Sequence, residues 1–320
     1  MTVEEPGGGG PTMRVEVPRA LDGERADRVV AFLAGIPRSD AAAVVQAGGV
    51  RLGGRVVAKV SQRVSAGSEL EVELLLGPAP PGPGADVPFD VVWADDEAIV
   101  VDKPAGVVVH PGAGHPTGTL VNGLVARFPD MAAAAWPDPA RPGIVHRLDK
   151  GTSGLLMVAR RPPAAAVLTA QLKARTVERR YLALAWGDVV GPHGVIEAPL
   201  ARSSSDPTRM TVRADGRPAV TSYEVVARHG SATLLRCTLQ TGRTHQVRVH
   251  LAAIGHPIVG DDRYSSRGRG AAAAPAARVL PPGRPFLHAE VLGFDHPATG
   301  ERLRFTSDLP PDLRRALDVV

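Results

Sequence analysis

The chain has a single cysteine, Cys237, in 320 residues. One thiol excludes an internal disulfide and any metal site or iron–sulfur cluster built from several cysteines, and it suits a reducing compartment. No run of about 18 apolar residues occurs, so nothing reads as a membrane span. The first residues, Met1 to Met13, are acidic and rich in glycine and proline, without the basic and apolar regions of a secretory signal. The expectation is a cytoplasmic protein with no membrane partner. Lysine is scarce too: Lys59, Lys103, Lys150 and Lys173 are the only four, so 33 of the 37 basic residues are arginine. Arginine suits planar, bidentate recognition of phosphate, although a genome-wide bias produces the same skew. The formal net charge is only +4 and names no partner by itself. Where the charge falls decides more.

Glycine and proline are abundant, 35 and 30 residues, about a fifth of the chain against a usual share of roughly 12%. Part of that excess belongs to tails and linkers. Residues 1–13 read as a tail without fixed structure, and the run Gly77-Pro78-Ala79-Pro80-Pro81-Gly82-Pro83-Gly84 has linker composition. The predicted layout is a small module over 14–76, a linker over 77–86 and a larger domain over 87–320. A second soft stretch, Arg267 to Arg284, reads as a surface insertion in the larger domain.

In the small module the pattern predicts a helix over Ala26 to Ala34, with Val29, Val30, Phe32 and Leu33 on its apolar face. Pro37 ends it, and Ser39 caps a second helix that runs to Ala47. Short strands follow at 50–52 and 56–57 around the Gly53-Gly54 turn, with a last strand over Glu69 to Leu75. Across 25–63 the basic residues Arg25, Arg28, Arg38, Arg51, Arg55, Lys59 and Arg63 face only Asp27 and Asp40, a net +5. A two-helix, glycine-turn and strand unit with clustered arginines resembles the S4 RNA-binding domain. That resemblance implies a basic face for RNA backbone, carried by Arg25, Arg28, Arg38, Arg51 and Arg55; the bland alternative is a solvated basic surface.

The larger domain carries the chemistry. The block Gly143-Ile144-Val145-His146-Arg147-Leu148-Asp149-Lys150-Gly151-Thr152-Ser153-Gly154 leads into a buried strand, Leu155 to Ala159. A carboxylate placed between apolar segments is costly without a cationic partner, so Asp149 is expected to have one. A helix over Pro163 to Ala174 follows, with Val167, Leu168 and Leu172 inward, and then a strand around Tyr181 to Trp186. Over 141–180, nine basic residues face Asp149 and Glu178, a net +7 and the strongest bias in the chain. Such a field suits a polyanionic substrate. Further on, Thr241-Gly242-Arg243-Thr244-His245-Gln246-Val247-Arg248-Val249-His250-Leu251 follows a strand over Ala232 to Leu239. Thr244 is expected to cap a helix with Val247, Leu251 and Ile254 inward, from which Arg248 reaches a carboxylate of another element. Phe286 to Phe294 and Leu303 to Phe305 read as a hairpin.

These motifs, with Asp102-Lys103-Pro104-Ala105-Gly106, Val109-His110-Pro111 and Tyr181-Leu182-Ala183-Leu184, together resemble the RluA-type RNA pseudouridine synthases from about Asp95 to Leu309. With an S4-like module in front, the order is most similar to the D group of the family's enzymes for the large ribosomal particle, then to the C group. The resemblance implies an α+β catalytic domain on a mixed, largely antiparallel sheet, and conversion of uridine in RNA, chiefly 23S ribosomal RNA, to pseudouridine. It places the catalytic carboxylate at Asp149, its arginine partner at Arg248, and at Tyr181 the tyrosine that stacks on uracil and can assist proton removal from C5. Arg147 matches the arginine that fills the space left by a flipped nucleotide; His146, Arg243 and His245 belong to the RNA-facing motifs. The isomerisation gains no electrons or groups, which agrees with the lack of a cofactor signature, and a monomer is expected.

Alternatives stay weaker. His110, His115, His146, His245 and His250 follow no zinc spacing, so no metal is expected and hydrogen bonding within the fold is the plainer role. Gly112 to Thr119 has the glycine content of a phosphate loop but lacks its lysine, and reads as a substrate-side loop. A non-catalytic S4-type RNA-binding or ribosome-assembly protein would explain the basic clusters but not Asp149, Tyr181 and Arg248 together. An S4-linked methyltransferase would need a glycine-rich nucleotide loop after an early strand.

Overall fold

The computed structural model describes residues 2–4, 12–36, 38–73, 80–112, 114–265 and 275–320. The chain divides into two compact units, Met1–Ala79 and Pro80–Val320. In the first, β1 (Thr2–Glu4) and β2 (Thr12–Glu16) precede two helices, α1 (Ala26–Ala34) and α2 (Arg38–Gln46), followed by β3 (Val50–Leu52), β4 (Arg55–Val56) and β5 (Glu69–Glu73). The strands form one antiparallel sheet in the order β1-β2-β5-β3-β4. Pro37 and Leu74 to Ala79, including the start of the expected linker, lie outside the described residues. The stretch expected as a tail is partly strand: β1 pairs with β2 because a β2 edge offers unpaired backbone groups.

Helix α1 ends at Gly35, whose φ of 65° is left-handed and lets its N–H bond Ala31 O. Ala26, Val29 and Val30 are buried and Leu33 packs against the same core, whereas Phe32 is 72% exposed. Phe32 lies roughly 100° round the helix from that stripe, so the periodicity finds the face but overextends it.

The second unit is built on a nine-stranded sheet. Its strands are β6 (Asp90–Ala94), β7 (Ala98–Lys103), β8 (Ser153–Ala159), β9 (Glu178–Trp186) and β10 (His193–Glu197). After a separate ribbon of β11 (Leu200–Arg202) and β12 (Met210–Val212) come β13 (Val220–His229), β14 (Ala232–Leu239), β15 (Leu287–Asp295) and β16 (Arg302–Thr306). The order is β10-β13-β14-β9-β15-β8-β7-β6, with β16 also paired to β15; only β15 and β8 run parallel. The helices are α3 (Leu120–Arg127), α4 (Pro129–Ala133), α5 (Pro162–Ala174), α6 (Gln246–Ala253), α7 (Pro275–Val279) and α8 (Pro311–Leu317).

Both faces of this sheet are covered. On β7, Ile99 and Val101 join one core and Ala98 and Val100 the other, the alternation a strand imposes. All seven residues of β8 are buried. Helix α5 packs through Ala164, Leu168 and Leu172, an i, i+4 stripe, and Val167, one residue off it, is 41% exposed instead of inward. Part of the expected surface insertion is core: Ala276 and Leu280 join the main cluster and Arg284 is buried, while 266–274 lie outside the described residues. Among the described residues no helix is long and apolar enough to cross a membrane.

Candidate active site

The sheet register sets the site. Gly154 of β8 pairs with Ala289 of β15, which pairs with Tyr181 of β9, which pairs with Cys237 of β14. The turn that leads into β8 therefore opens beside Tyr181. That turn carries Asp149, and its backbone is tied down from three sides. Thr152 N donates to Asp149 O at 3.1 Å, and Gly106 N donates to Lys150 O at 2.7 Å. The buried Arg284 donates to Gly151 O at 2.7 Å and to Ser153 Oγ at 2.8 Å, while its Nε donates to Asp312 of α8 at 2.7 Å. Residue 151 must be glycine here, since a Cβ would stand 2.2 Å from Gly283 O.

Lys103, fully buried at the end of β7, donates to Pro104 O at 2.8 Å and Val107 O at 3.0 Å. Burial and the nearby Arg284 guanidinium pull its amine down to about 7, against the opposing pull of Asp149 and Asp102. A neutral amine has two N–H groups, matching its two carbonyl partners.

Arg248 reaches Asp149 from α6. Its Nη1 donates to Asp149 Oδ2 at 3.2 Å; its Nε and Nη2 donate to the two oxygens of Asp261 at 2.7 and 2.9 Å. This fork leaves one outer nitrogen for Asp149. Burial works against the Arg248 cation, but Asp261 and Asp149 outweigh it and raise its pKa above the ordinary value. Tyr264 lies under the guanidinium, ring centroid 5.1 Å away. Its hydroxyl accepts from Met210 N and bonds His245 Nδ1 at 2.6 Å. A phenol that donates to Nδ1 leaves the imidazole proton on Nε2, which lies 3.8 Å from Asp149 Oδ1. Burial lowers the His245 pKa.

Helix α6 does not start as expected. His245, not Thr244, is its first flanking residue, with a left-handed φ of 56°. Gln246 instead ties the preceding loop to the sheet: its Oε1 accepts from Arg243 N and Thr241 Oγ1, and its Nε2 donates to Val220 O and Thr221 Oγ1. The helix is buried through Leu251, and Ile254, just past its end, is half-exposed instead of inward.

One cavity of about 590 Å³ is lined by Asp149, Tyr181, Arg248, His146, Arg147, Arg243 and His245, the seven residues the sequence singled out in this domain. The Asp149 carboxylate is 16% exposed. Tyr181 is buried, which raises its phenol pKa, with Arg179 pulling the other way. His146 accepts from Met157 N at 2.9 Å, and burial followed by the Arg179 charge pushes its pKa down to about 3. Arg147 is exposed at the rim, and Arg243 bonds Pro218 O. The remaining histidines also bond within the fold, His250 to Thr221 and Ala198. Among the described residues no group of three or more His, Cys, Asp or Glu could hold a metal.

The basic residues of the first unit are arranged differently. Arg25 and Arg38 both bond the buried Asp27, at 3.0 and 3.1 Å, and Arg28 pairs with Glu24 at 2.9 Å. Arg51 and Arg55 are exposed on β3 and β4. Sequence reasoning missed Asp261, Tyr264, Arg284 and the burial of Lys103. The available signal for Asp261 was its place after the apolar Ile258-Val259, followed by a turn.

A carboxylate, an arginine and a buried tyrosine converging on a basic cavity define an enzyme for a polyanionic substrate. Comparison with known proteins makes this specific. Residues 97–253 match the family described as RNA pseudouridylate synthase. Ribosomal large subunit pseudouridine synthase D of Xanthomonas campestris is 42% identical over 308 residues, covering 95% of this chain and 91% of that protein. The uncharacterized RNA pseudouridine synthase YlyB of Bacillus subtilis is 39% identical over 303 residues, covering 93% and 96%. The solved structure of Human RNA Pseudouridylate Synthase Domain Containing 1 matches with a TM-score of 0.56 and 27% identity, over 73% of this chain and 89% of that one. The chain belongs to the RNA pseudouridylate synthase family, isomerases that turn uridine in RNA into pseudouridine.

Proposed function

We propose that this synthase modifies large-subunit ribosomal RNA in the cytoplasm, as a monomer, with Asp149 as its essential carboxylate. Relatives of near-full-length similarity carry a ribosomal large subunit name. The observation that carries the assignment is the 3.2 Å contact between Arg248 Nη1 and Asp149 Oδ2 in the cavity that Tyr181 lines. Asp149 acts on the ribose of a flipped uridine, by attack at C1′ or by taking a proton from C2′. The C1′–N1 bond breaks, the base turns, a C5–C1′ bond forms, and C5 loses a proton while N1 gains one. Arg248, fixed by Asp261, aims the carboxylate. Tyr181 stacks on the uracil; its raised pKa favours that role over one as a base. Arg147 enters the gap left in the RNA, and His146, Arg243 and His245 line the path of the nucleotide.

Residues 14–76 form an S4-like RNA-binding domain that uses Arg25, Arg28, Arg38, Arg51 and Arg55 on phosphate backbone, with 77–86 as linker and 87–320 as catalytic domain. The basic bias of 25–63 supports this reading. The test is tritium release from C5-tritiated large-subunit RNA. Wild type releases tritium; Asp149→Asn and Asp149→Ala release none while RNA binding stays within about threefold. Normal turnover by either variant removes Asp149 from the mechanism.

A further inference from the structure

The cavity contains a cation with no part in the chemistry described so far. Arg179 stands on β9 two residues before Tyr181, so both side chains leave the strand on the same face. Arg179 is 7% exposed and lines the cavity with Asp149, Tyr181 and Arg248. Its Nε is buried with no hydrogen-bond partner. Two other buried arginines of this unit are matched by carboxylates, Arg248 by Asp261 and Arg284 by Asp312. Among the described residues no carboxylate pairs with Arg179, and the neighbouring Arg180 has Glu178 at 2.8 Å. Gly242 keeps the space open, because a Cβ there would stand 2.7 Å from Arg179 Nη1.

A buried guanidinium without a counter-charge weakens a fold. Burial accordingly pulls Arg179 below the ordinary arginine pKa. Its position calls for an anion that arrives with the substrate. Two anions are available in this chemistry: a backbone phosphate, and the uracil itself once C1′–N1 has broken and left its electron pair on the base. Depth separates them. Arg141, Arg147, Lys173 and Arg175 line the same cavity but are exposed, as suits phosphates that stay near solvent. Arg179 is buried beside Tyr181, where the base lies.

We propose that Arg179 is a catalytic residue that pairs with a carbonyl oxygen of the detached uracil and holds its negative charge until the C5–C1′ bond forms. The pair released from C1′–N1 spreads over N1 and the two carbonyl oxygens. It returns to carbon when C5 joins C1′, after which C5 gives up its proton and N1 takes one. Since this charge exists only after bond breaking begins, Arg179 acts on the transition state and not on RNA binding. The proposal rests on the assignment of Asp149 and Tyr181 above.

The experiment compares Arg179→Gln, Arg179→Met and Arg179→Lys with wild type, in the full chain, by C5-tritium release, filter binding and thermal melting. The expected result for Arg179→Gln and Arg179→Met is a kcat about 100-fold lower, as for loss of a preorganised charge donor, with KM and Kd for RNA changed less than about threefold. Arg179→Lys regains part of kcat. Arg179→Met melts at the same temperature as wild type or a few degrees higher, because a cost of burial is gone. A loss in Kd with kcat intact assigns Arg179 to a phosphate and overturns the proposal. So does a loss of kcat that parallels a lower melting temperature in all three variants, or full activity in Arg179→Gln. If Asp149→Asn is inactive and Arg179→Gln is normal, only Arg179 is misassigned; if Asp149→Asn turns over, the underlying reading has failed first.

Discussion

Each unit of this protein has a carboxylate that organises arginines, and the two use it in opposite ways. In the first, Asp27 is buried while its partners stay open to water, Arg25 in part and Arg38 for the larger share. In the second, Asp261 and Arg248 are both buried, and the only direction left to the guanidinium is Asp149. An anchor under solvent-facing cations leaves them able to meet phosphate, at little energetic consequence per pair. An anchor buried together with its cation fixes one geometry. The difference is one of surroundings, since the chemical partners are the same.

The sharpest way to break the comparison is to remove both anchors in turn. Asp261→Ala removes both buried hydrogen bonds that Arg248 makes to it and leaves Asp149 as its one counter-charge among the described residues, so a loss of roughly 3–5 kcal/mol in stability is expected, with at least about 100-fold less turnover as Asp149 loses its aim. Asp27→Ala is expected to cost roughly 2 kcal/mol: the Arg25 hydrogen bond, then that of Arg38, lowers its carboxyl to about 2, and a tenfold change in proton affinity corresponds to about 1.4 kcal/mol. That contribution is complete above the unfolded value near 3.8 and disappears as pH falls through 2. Turnover at saturating RNA is unchanged in Asp27→Ala. Urea unfolding and tritium release measure both variants; equal catalytic losses would erase the distinction between the two anchors.

Burial of charge in the second unit also has a pH signature. An amine held at about 7 in the folded chain and near 10.5 when unfolded binds its proton more tightly in the unfolded state between those values, so stability rises with pH across that window. Lys103 accounts for roughly 2 kcal/mol of increase between pH 7 and 9. His146, held at about 3 against 6.5, has the same sign lower down: stability is lost as pH falls from 6.5 to 3. Melting curves of wild type and Lys103→Met from pH 7 to 9 isolate the lysine. The variant is expected to lose the rise, and parallel curves would reject the burial argument.

Much of the catalytic unit was legible in the sequence, for physical reasons that also explain the gaps. A carboxylate between apolar segments has to have a cation, and an arginine on a mostly apolar helix has to have an anion, so Asp149 and Arg248 were each expected to have a partner, and the family resemblance matched them to each other before any coordinates. Asp261 could not be separated from Asp262, since only the fold decides which of two neighbours is buried. Arg284 reaches Gly151 across 133 positions, a contact created by the parallel pairing of β15 with β8 that no local pattern encodes. The start of α6 depended on His245 adopting a left-handed φ, which is uncommon for any residue but glycine and which histidine's enrichment there does not suffice to announce. Phe32 and Val167 show that periodicity locates an apolar stripe better than its edges. Arg179 and Arg180 are adjacent and chemically identical, and the sequence reading set neither apart, although strand alternation from Tyr181 carries that signal.

The smallest expected effect belongs to the exposed arginines of the first unit. Arg51 on β3 and Arg55 on β4 are exposed, and among the described residues the one side-chain bond of Arg51, to Gly54 O, is long at 3.5 Å. Replacing Arg51 by alanine therefore removes no buried partner, and the melting temperature is expected to stay within about 1 °C, as for surface substitutions generally. If the residue meets a phosphate, the variant releases one counterion fewer on binding, so the slope of log affinity against log salt shrinks by roughly one. At low salt that amounts to a severalfold weaker Kd, with kcat at saturating RNA unchanged. Filter binding between about 50 and 200 mM KCl reads the slope directly. A fall in kcat, or a slope identical to wild type, would show that this basic face is only solvated, and the contrast between a surface that grips and a cavity that reacts would have to be redrawn around other residues.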